Sequence, residues 1–315
     1  MRPEPQAPLQ GTQDLLFEAA RRLRRCETTL CAVFERAGYA EVIPPSVEAA
    51  DVFGEEAFRA MARDGRLIGM RSDFTAQVAR IAATRLAGTP SLRLYYRGSI
   101  VRRTHQQSVV ERLQAGCELV GAGEPAADAE ILSIAASALR ALRLDDARIS
   151  VGSMGYFSAL TEGLHPPLLE ALHAAVDRKD LPSLRALCER EIPPGKTREA
   201  LLMLAQPPRP QAQAQELLGR AEELAPNPAA LAAAQRISAT LALAPEARLE
   251  LDLGEVRGLG YYTGLVFNLY AAGSPRPVGG GGRYDGLLGR FGDPRPAVGF
   301  SLDLDALVPL AKDGG

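Results

Sequence analysis

Arg257-Gly-Leu-Gly-Tyr-Tyr-Thr-Gly-Leu-Val-Phe267 sets an arginine and two tyrosines ahead of a β-prone run, with glycines removing bulk around them. An arginine grips a carboxylate through two parallel hydrogen bonds, and a tyrosine offers a ring face plus a hydroxyl that donates or accepts. The segment reads as the wall of a small-molecule pocket. An edge strand carrying surface aromatics has the same composition. A second glycine-rich stretch, Gly279 to Gly286, follows it.

Neither stretch is a nucleotide loop. Gly258-Leu-Gly260 is followed by Gly264, one residue too far for G-x-G-x-x-G, and it precedes a strand-like run where that motif needs a helix. Gly279 to Gly282 lacks the Gly-Lys-Ser/Thr that completes a phosphate loop. What the glycines offer is close backbone approach to a ligand or to a neighbouring strand, and a tight hairpin with a packed strand would use them equally well.

Outward from these segments, the pattern is mixed. Leu15, Ala19, Leu23, Cys26, Leu30, Val33 and Ala37 recur at steps of three or four, so an amphipathic helix is expected over Leu15–Ala37, with Thr12 capping it and Gly38 closing it. Arg21, Arg22, Arg24 and Arg25 fall largely off that stripe and read as a solvated face. Strands are expected over Tyr39–Ile43, Leu67–Arg71, Leu92–Val101, Leu113–Val120 and Arg148–Val151, with helices over Thr75–Leu86 and Ala126–Leu142. From about 154 to 244, alanine, leucine and punctuating prolines replace strand alternation, and several short helices fit. β signals return at Arg248–Leu253 and Tyr261–Leu269, and Ala297–Leu310 reads as strand then helix. The expected fold class is α/β (α+β): an antiparallel sheet flanked by helices, in two parts (1–150 and 245–315) separated by a helical insertion (151–244).

Composition excludes several classes. The chain has 315 residues, 46% hydrophobic and 23% charged, and 36 basic against 38 acidic side chains leave a net charge of −2, so there is no global basic field for nucleic acid. No apolar run is long enough to span a bilayer, and Met1 to Gly11 is polar and proline-rich where a secretory signal would be hydrophobic, so a cytoplasmic location is expected. Cys26, Cys31, Cys117 and Cys188 form no C-x-x-C pair and read as reduced, while His105, His165 and His173 are too few for a zinc site. No metal or cofactor is expected.

Arg257 to Phe267, together with Gly280-Gly-Gly-Arg-Tyr-Asp-Gly286, resembles the two histidine-recognition signatures of histidyl-tRNA synthetases. Other segments agree in order: Gly11-Thr-Gln-Asp-Leu15, Gly38 to Pro45 resembling class II motif 1, Met70 to Ala76 resembling a substrate loop, Tyr96 to Gly121 resembling motif 2, and Pro296 to Leu307 resembling motif 3. The resemblance implies a class II synthetase-like sheet, dimeric through the motif 1 region. It also implies that Asp73 and Gln114 meet the α-ammonium of histidine, that Arg257 meets the carboxylate side, and that Glu118, Tyr262 and Tyr284 surround the imidazole. Asp73 stands where the synthetases usually carry Glu. Each residue also has a plainer reading: Asp73 as a helix-start acid, Glu118 as a partner of Arg112, Tyr262 as sheet packing.

The nucleotide side departs from the synthetases. Motif 2 reads Arg97-Gly-Ser99 where Arg-x-Glu is usual, and motif 3 ends in Asp303-Leu-Asp-Ala306 where an arginine is usual. A triphosphate clamp works through charge-assisted bonds worth roughly 1.5 to 3 kcal/mol each, so adenylate chemistry is expected to be crippled. Arg97 is left as a possible ligand or phosphate contact, or as a partner of Asp303. The chain ends about ten residues after motif 3, so an anticodon-binding domain is expected to be absent, and no tRNA partner is expected.

That combination resembles the family of ATP phosphoribosyltransferase regulatory subunits. Membership would imply a non-catalytic chain that partners the short-form catalytic subunit in a hetero-octamer, is required for its activity, and makes the first step of histidine biosynthesis sensitive to histidine. The alternatives are a truncated synthetase paralogue with residual aminoacyl-adenylate or amino-acid transfer activity, and a stand-alone histidine sensor.

Overall fold

Leu23, Cys26, Leu30, Val33 and Phe34 recur every three or four residues, and that stripe seats helix α1 (Phe17–Arg36) against a sheet. Gly38, at φ +83°, closes the helix as expected. Its start differs: the Thr12 hydroxyl donates to the Leu9 carbonyl at 2.8 Å, and the helix begins at Phe17 behind Leu16, with no side-chain cap. The structure is a computed structural model and describes residues 8–103, 109–244, 248–256 and 260–311.

The chain continues through β1 (Ala40–Glu41), β2 (Val47–Ala49), β3 (Arg59–Met61), β4 (Leu67–Met70), α2 (Phe74–Thr84), β5 (Leu92–Arg103), β6 (Val109–Val120), α3 (Pro125–Ala141) and β7 (Arg148–Ser153). Six helices follow: α4 (Met154–Leu160), α5 (Pro166–Asp177), α6 (Leu181–Glu191), α7 (Lys196–Met203), α8 (Ala214–Glu223) and α9 (Pro228–Leu243), with β8 (Arg209–Pro210) between the last two pairs. The chain then returns through β9 (Leu249–Leu251), β10 (Leu265–Tyr270), β11 (Gly279–Arg283), β12 (Ala297–Asp303) and α10 (Leu304–Leu307).

Nine strands form one sheet in the order β1-β5-β6-β12-β11-β10-β7-β9-β8, and β2, β4 and β3 form a small second sheet. All pairings in the large sheet are antiparallel except β1 with β5 and β7 with β9. The expected antiparallel α/β architecture is therefore the observed one. The two-residue β8 breaks the purely helical reading of its region; it is too short to show alternation, and it exists because Arg209 lies opposite Leu251.

The register gives the sheet two chemically different faces. One row, Tyr95, Cys117, Phe300, Gly281, Phe267 and Val151, runs across six strands and is buried with residues of α1 and α3. Buried side chains of the helical module, among them Leu172, Leu184, Leu201, Leu218 and Ile237, belong to that same continuous core. The opposite face carries the row Leu94, Glu118, Gly299, Gly282, Val266 and Gly152. On that face Phe74 and Val78 of α2 pack on Leu94, Tyr96 and Ile100, and the glycines leave room around one buried carboxyl, Glu118.

Candidate functional site: carboxyls and tyrosines on the polar face of the sheet

Glu118, in the middle of β6, is wholly buried. A buried carboxyl persists only when its oxygens are satisfied, and here three hydroxyls converge on it. Thr75 donates to Oε1 at 2.7 Å and Tyr96 donates to the same atom at 3.1 Å, while the Tyr284 hydroxyl makes a short bond to Oε2. Burial lifts the carboxyl to about 8, against the pull of those hydrogen bonds in the other direction.

Two glycines make the arrangement possible. A Cβ on Gly299 would lie 1.6 Å from Glu118 Oε2, and one on Gly116 would lie 2.7 Å from the Tyr96 hydroxyl. The Gly279–Gly282 run is thus a central strand, β11, between β10 and β12, and its glycines admit close neighbours. At Gly282 that neighbour is the Tyr262 ring, 2.8 Å from where a Cβ would stand.

Asp73 sits at the N-cap of α2. Its Oδ1 accepts from the Thr75 amide at 2.8 Å, so the helix-start reading holds for one oxygen. The other oxygen faces the pocket and accepts from the Tyr261 hydroxyl at 3.2 Å. Burial raises the Asp73 carboxyl above its usual range; the charge of Arg102 and the bonds from Thr75 and Tyr261 oppose the rise.

Tyr261, Tyr262 and Tyr284 close the wall, with Tyr261 edge-on to Tyr262 at 5.1 Å and to Tyr284 at 5.8 Å. Strand β10 begins at Leu265, later than the sequence suggests, because the Thr263 amide donates across to the Arg283 carbonyl and the two tyrosines ride on a turn ahead of the strand. Phe74 stacks on Tyr96 at 4.4 Å and carries Arg71 on its other side, 4.1 Å from the ring centre.

Of the residues singled out from sequence, Asp73, Glu118, Tyr262 and Tyr284 come together at this face. Gln114 shares the face of Glu118 on β6, four residues along, and is half-buried beside Gly98 and Asp303. Arg257 lies outside the described residues, as does His105. Arg97 needs correcting. It sits one residue out of phase with Tyr96 and Gly98, so it emerges on the opposite face, where it pairs with Glu27 and Glu41, each at 3.3 Å. It does not meet Asp303, which pairs instead with Arg276 at 2.8 Å.

The cation on the pocket side of β5 is Arg102, whose Nε donates to the Ser72 carbonyl at 2.8 Å and whose charge bears on both Asp73 and Tyr262. Two residues further stands Thr104, so an Arg-x-Glu pattern is missing in this register too. Sequence reasoning also passed over Thr75, Tyr96 and Tyr261. Even spacing from Glu118 across the β5–β6 hairpin would have found Tyr96 and Arg102.

At the end of β12, opposite Gln114, Asp303 caps α10, and Asp305 accepts from the Leu113 amide and from Gln13, at 2.8 and 2.7 Å. These acids, with Ala306 between them and the chain end, leave that end without a guanidinium of its own on α10. Two carboxyls, the three tyrosyl hydroxyls bonded to them and one flanking arginine suit a small cationic or N–H-rich ligand.

A family description, histidyl-tRNA synthetase, matches residues 11–307. A protein from Geobacter metallireducens named ATP phosphoribosyltransferase regulatory subunit is 36% identical over 96% of this chain and 73% of its own length. One of the same name from Anaeromyxobacter dehalogenans is 37% identical over 94% of this chain and 88% of its own. A Bacillus halodurans crystal structure, titled as an ATP phosphoribosyltransferase regulatory subunit/histidyl-tRNA synthetase, superposes with a TM-score of 0.87 at 25% identity, covering 98% of this chain and 84% of that one. Fold, family description and relatives agree: the chain belongs to the family of ATP phosphoribosyltransferase regulatory subunits, built on a class II, histidyl-tRNA synthetase-like fold.

Proposed function

We propose that the chain is a non-catalytic subunit that binds histidine in the carboxyl and tyrosine pocket and, with a short-form catalytic subunit, confers activity and histidine feedback on phosphoribosyl transfer to ATP. The observation that supports the reading is the gathering of Asp73, Glu118, Tyr262 and Tyr284 at one face of the sheet, with no arginine on α10. Asp73 and Gln114 would take the α-ammonium, Glu118, Tyr262 and Tyr284 the imidazole, and Arg257 the carboxylate, while Arg97 is committed to Glu27 and Glu41. Feedback then needs only that histidine bind one quaternary state better than another.

The reading includes a cytoplasmic hetero-octamer without tRNA, and self-association through the region of α1 and the segment from Tyr39 to Pro45. Among the described residues no helix is long and apolar enough to cross a membrane. The test is co-purification with the short catalytic subunit of a relative's operon-matched pair, followed by a phosphoribosyl-transfer assay with and without histidine. Activation of the catalytic subunit and its loss on adding histidine are expected. Failure to co-migrate or activate would overturn the assignment, and histidine-dependent pyrophosphate exchange by the isolated chain would point to a synthetase paralogue instead. Within the pocket, Arg257→Ala and Tyr262→Phe are each expected to weaken histidine binding about tenfold, the loss of one charge-assisted or one buried hydrogen bond; calorimetry showing unchanged affinity in both would refute the placement.

A further inference from the structure

Asp128 is wholly buried on α3, and each of its oxygens has its own guanidinium. Oδ1 accepts from Arg283 Nε at 2.8 Å, and Arg283 Nη2 lies 2.6 Å from the same oxygen as an ion-pair contact. Oδ2 accepts from Arg236 Nε, on α9, at 2.8 Å, and Arg236 Nη2 lies 2.7 Å away as an ion-pair contact. Charges this deep persist only while they satisfy one another. Moving α9 would therefore withdraw one partner from Asp128 and leave Arg283 to answer for it alone.

Arg283 is placed to pass that change on. It is 98% buried, and its Nη1 also donates to Asp285 Oδ1 at 2.9 Å and to the Ala122 carbonyl at 3.2 Å. Asp285 in turn accepts from the Ala297 amide at 3.0 Å, and its own amide donates to the Thr263 hydroxyl, also at 3.0 Å. Between Arg283 and Asp285 stands Tyr284, which bonds Glu118, and next to Thr263 stands Tyr262. A second attachment runs from the same helical module. His173 on α5 lies 3.0 Å from the Val256 carbonyl, and Lys179 is ion-paired with Asp252, so the module also holds the strand end leading into residue 257.

We propose that Arg236, Asp128 and Arg283 form a positioning relay that couples the seating of α9 to the tyrosine wall, so that ligand in the pocket and docking of the helical module stabilise each other. The inference rests on the histidine reading of that pocket. Coupling of this kind is reciprocal: whatever α9 contributes to the affinity for the ligand, the ligand returns to α9. It travels through contiguous bonds from the module to Glu118 with no gap larger than one side chain. Arg236 is the member to test, because its side chain is 28% exposed and can be replaced without opening a buried void.

The test uses the full chain, calorimetry with histidine, and amide hydrogen exchange across residues 228–243 with and without saturating histidine. In the wild type, histidine is expected to bind and to slow exchange in α9. Arg236→Met is expected to lower affinity about fivefold and to abolish the response of α9, and Arg236→Lys, which keeps the charge and one bond, recovers part of both. Ile237→Val loosens the same helix without touching the ion pairs and is expected to keep affinity within about twofold. The relay is overturned if Arg236→Met binds histidine like the wild type, if Ile237→Val loses as much, or if the wild type binds histidine while α9 does not respond. A wild type that binds no histidine sinks the pocket reading, and the relay with it.

Discussion

Glu118 ties stability to pH in a direction opposite to most carboxyls. Held at about 8 in the folded chain, against about 4.3 when unfolded, it binds more protons folded than unfolded between those values. Stability is then highest at the acid end of the window and falls as pH rises toward 8, by at most about 1.4 kcal/mol per pH unit from this one group. Glu118→Gln removes the titration while keeping a side chain of the same shape. Thermal unfolding of the ligand-free protein between pH 5.5 and 8 is expected to show the wild-type Tm dropping several degrees more than that of the variant. Parallel curves would mean that Glu118 is already ionised throughout. At this scale the sequence was partly legible. Glu118, Tyr284 and Asp73 stand in motifs with fixed neighbours, whereas Arg97 was mistaken because β5 buries both of its faces. Tyr95 and Tyr96 are each almost fully covered, so polar–apolar alternation, the only phase marker a sequence carries for a strand, is erased there.

The elements were read better than their pairings. Helix α1 was visible because one face of it meets water, and its 3.6-residue period survives. The place of β12 between β6 and β11 was not visible, since that contact joins residues about 180 positions apart and no local preference encodes it. The glycines of β11 and β12 are where the element and the site meet, and they differ in kind from a glycine with open space around it. Gly299→Ala would drive a methyl into Glu118 Oε2 and to 2.6 Å from the Cys117 carbonyl, with the β6–β12 ladder unable to part. A loss of about 2 kcal/mol or more is expected in urea unfolding, with histidine binding abolished. Gly286→Ala, in the neighbouring signature, meets nothing within 4 Å and has no left-handed backbone, so its stability should stay within about 0.5 kcal/mol of the wild type. Equal losses at the two positions would show that the signature glycines serve chain flexibility and not close packing.

For the molecule as a whole, the large sheet has α1 and α3 on one face and α2 with the tyrosine wall on the other, and the region around β1 and the small second sheet is left with apolar side chains in water. Ile43 is 83% exposed and Met61 75%, and in the small sheet Met61 stands opposite Leu67 on one face and Val47 opposite Met70 on the other, all of them exposed. Exposed apolar side chains concentrated in one region mark a contact surface, and Ile43 and Val47 lie where the proposed self-association places the contact. A second copy would bury Ile43 and Val47 near the two prolines, Pro44 and Pro45, that fix the backbone between them. Replacing Ile43 and Val47 together by Asp puts two charges into such an interface while adding nothing to the monomer's core, so like-charge repulsion and desolvation act only on the assembly. Sedimentation velocity is expected to show a dimer for the wild type and a monomer with native circular dichroism for the double variant. If the double variant remains dimeric, the contact lies elsewhere. If it unfolds, the two side chains belong to the fold after all, and their exposure marks a surface that the free chain never presents.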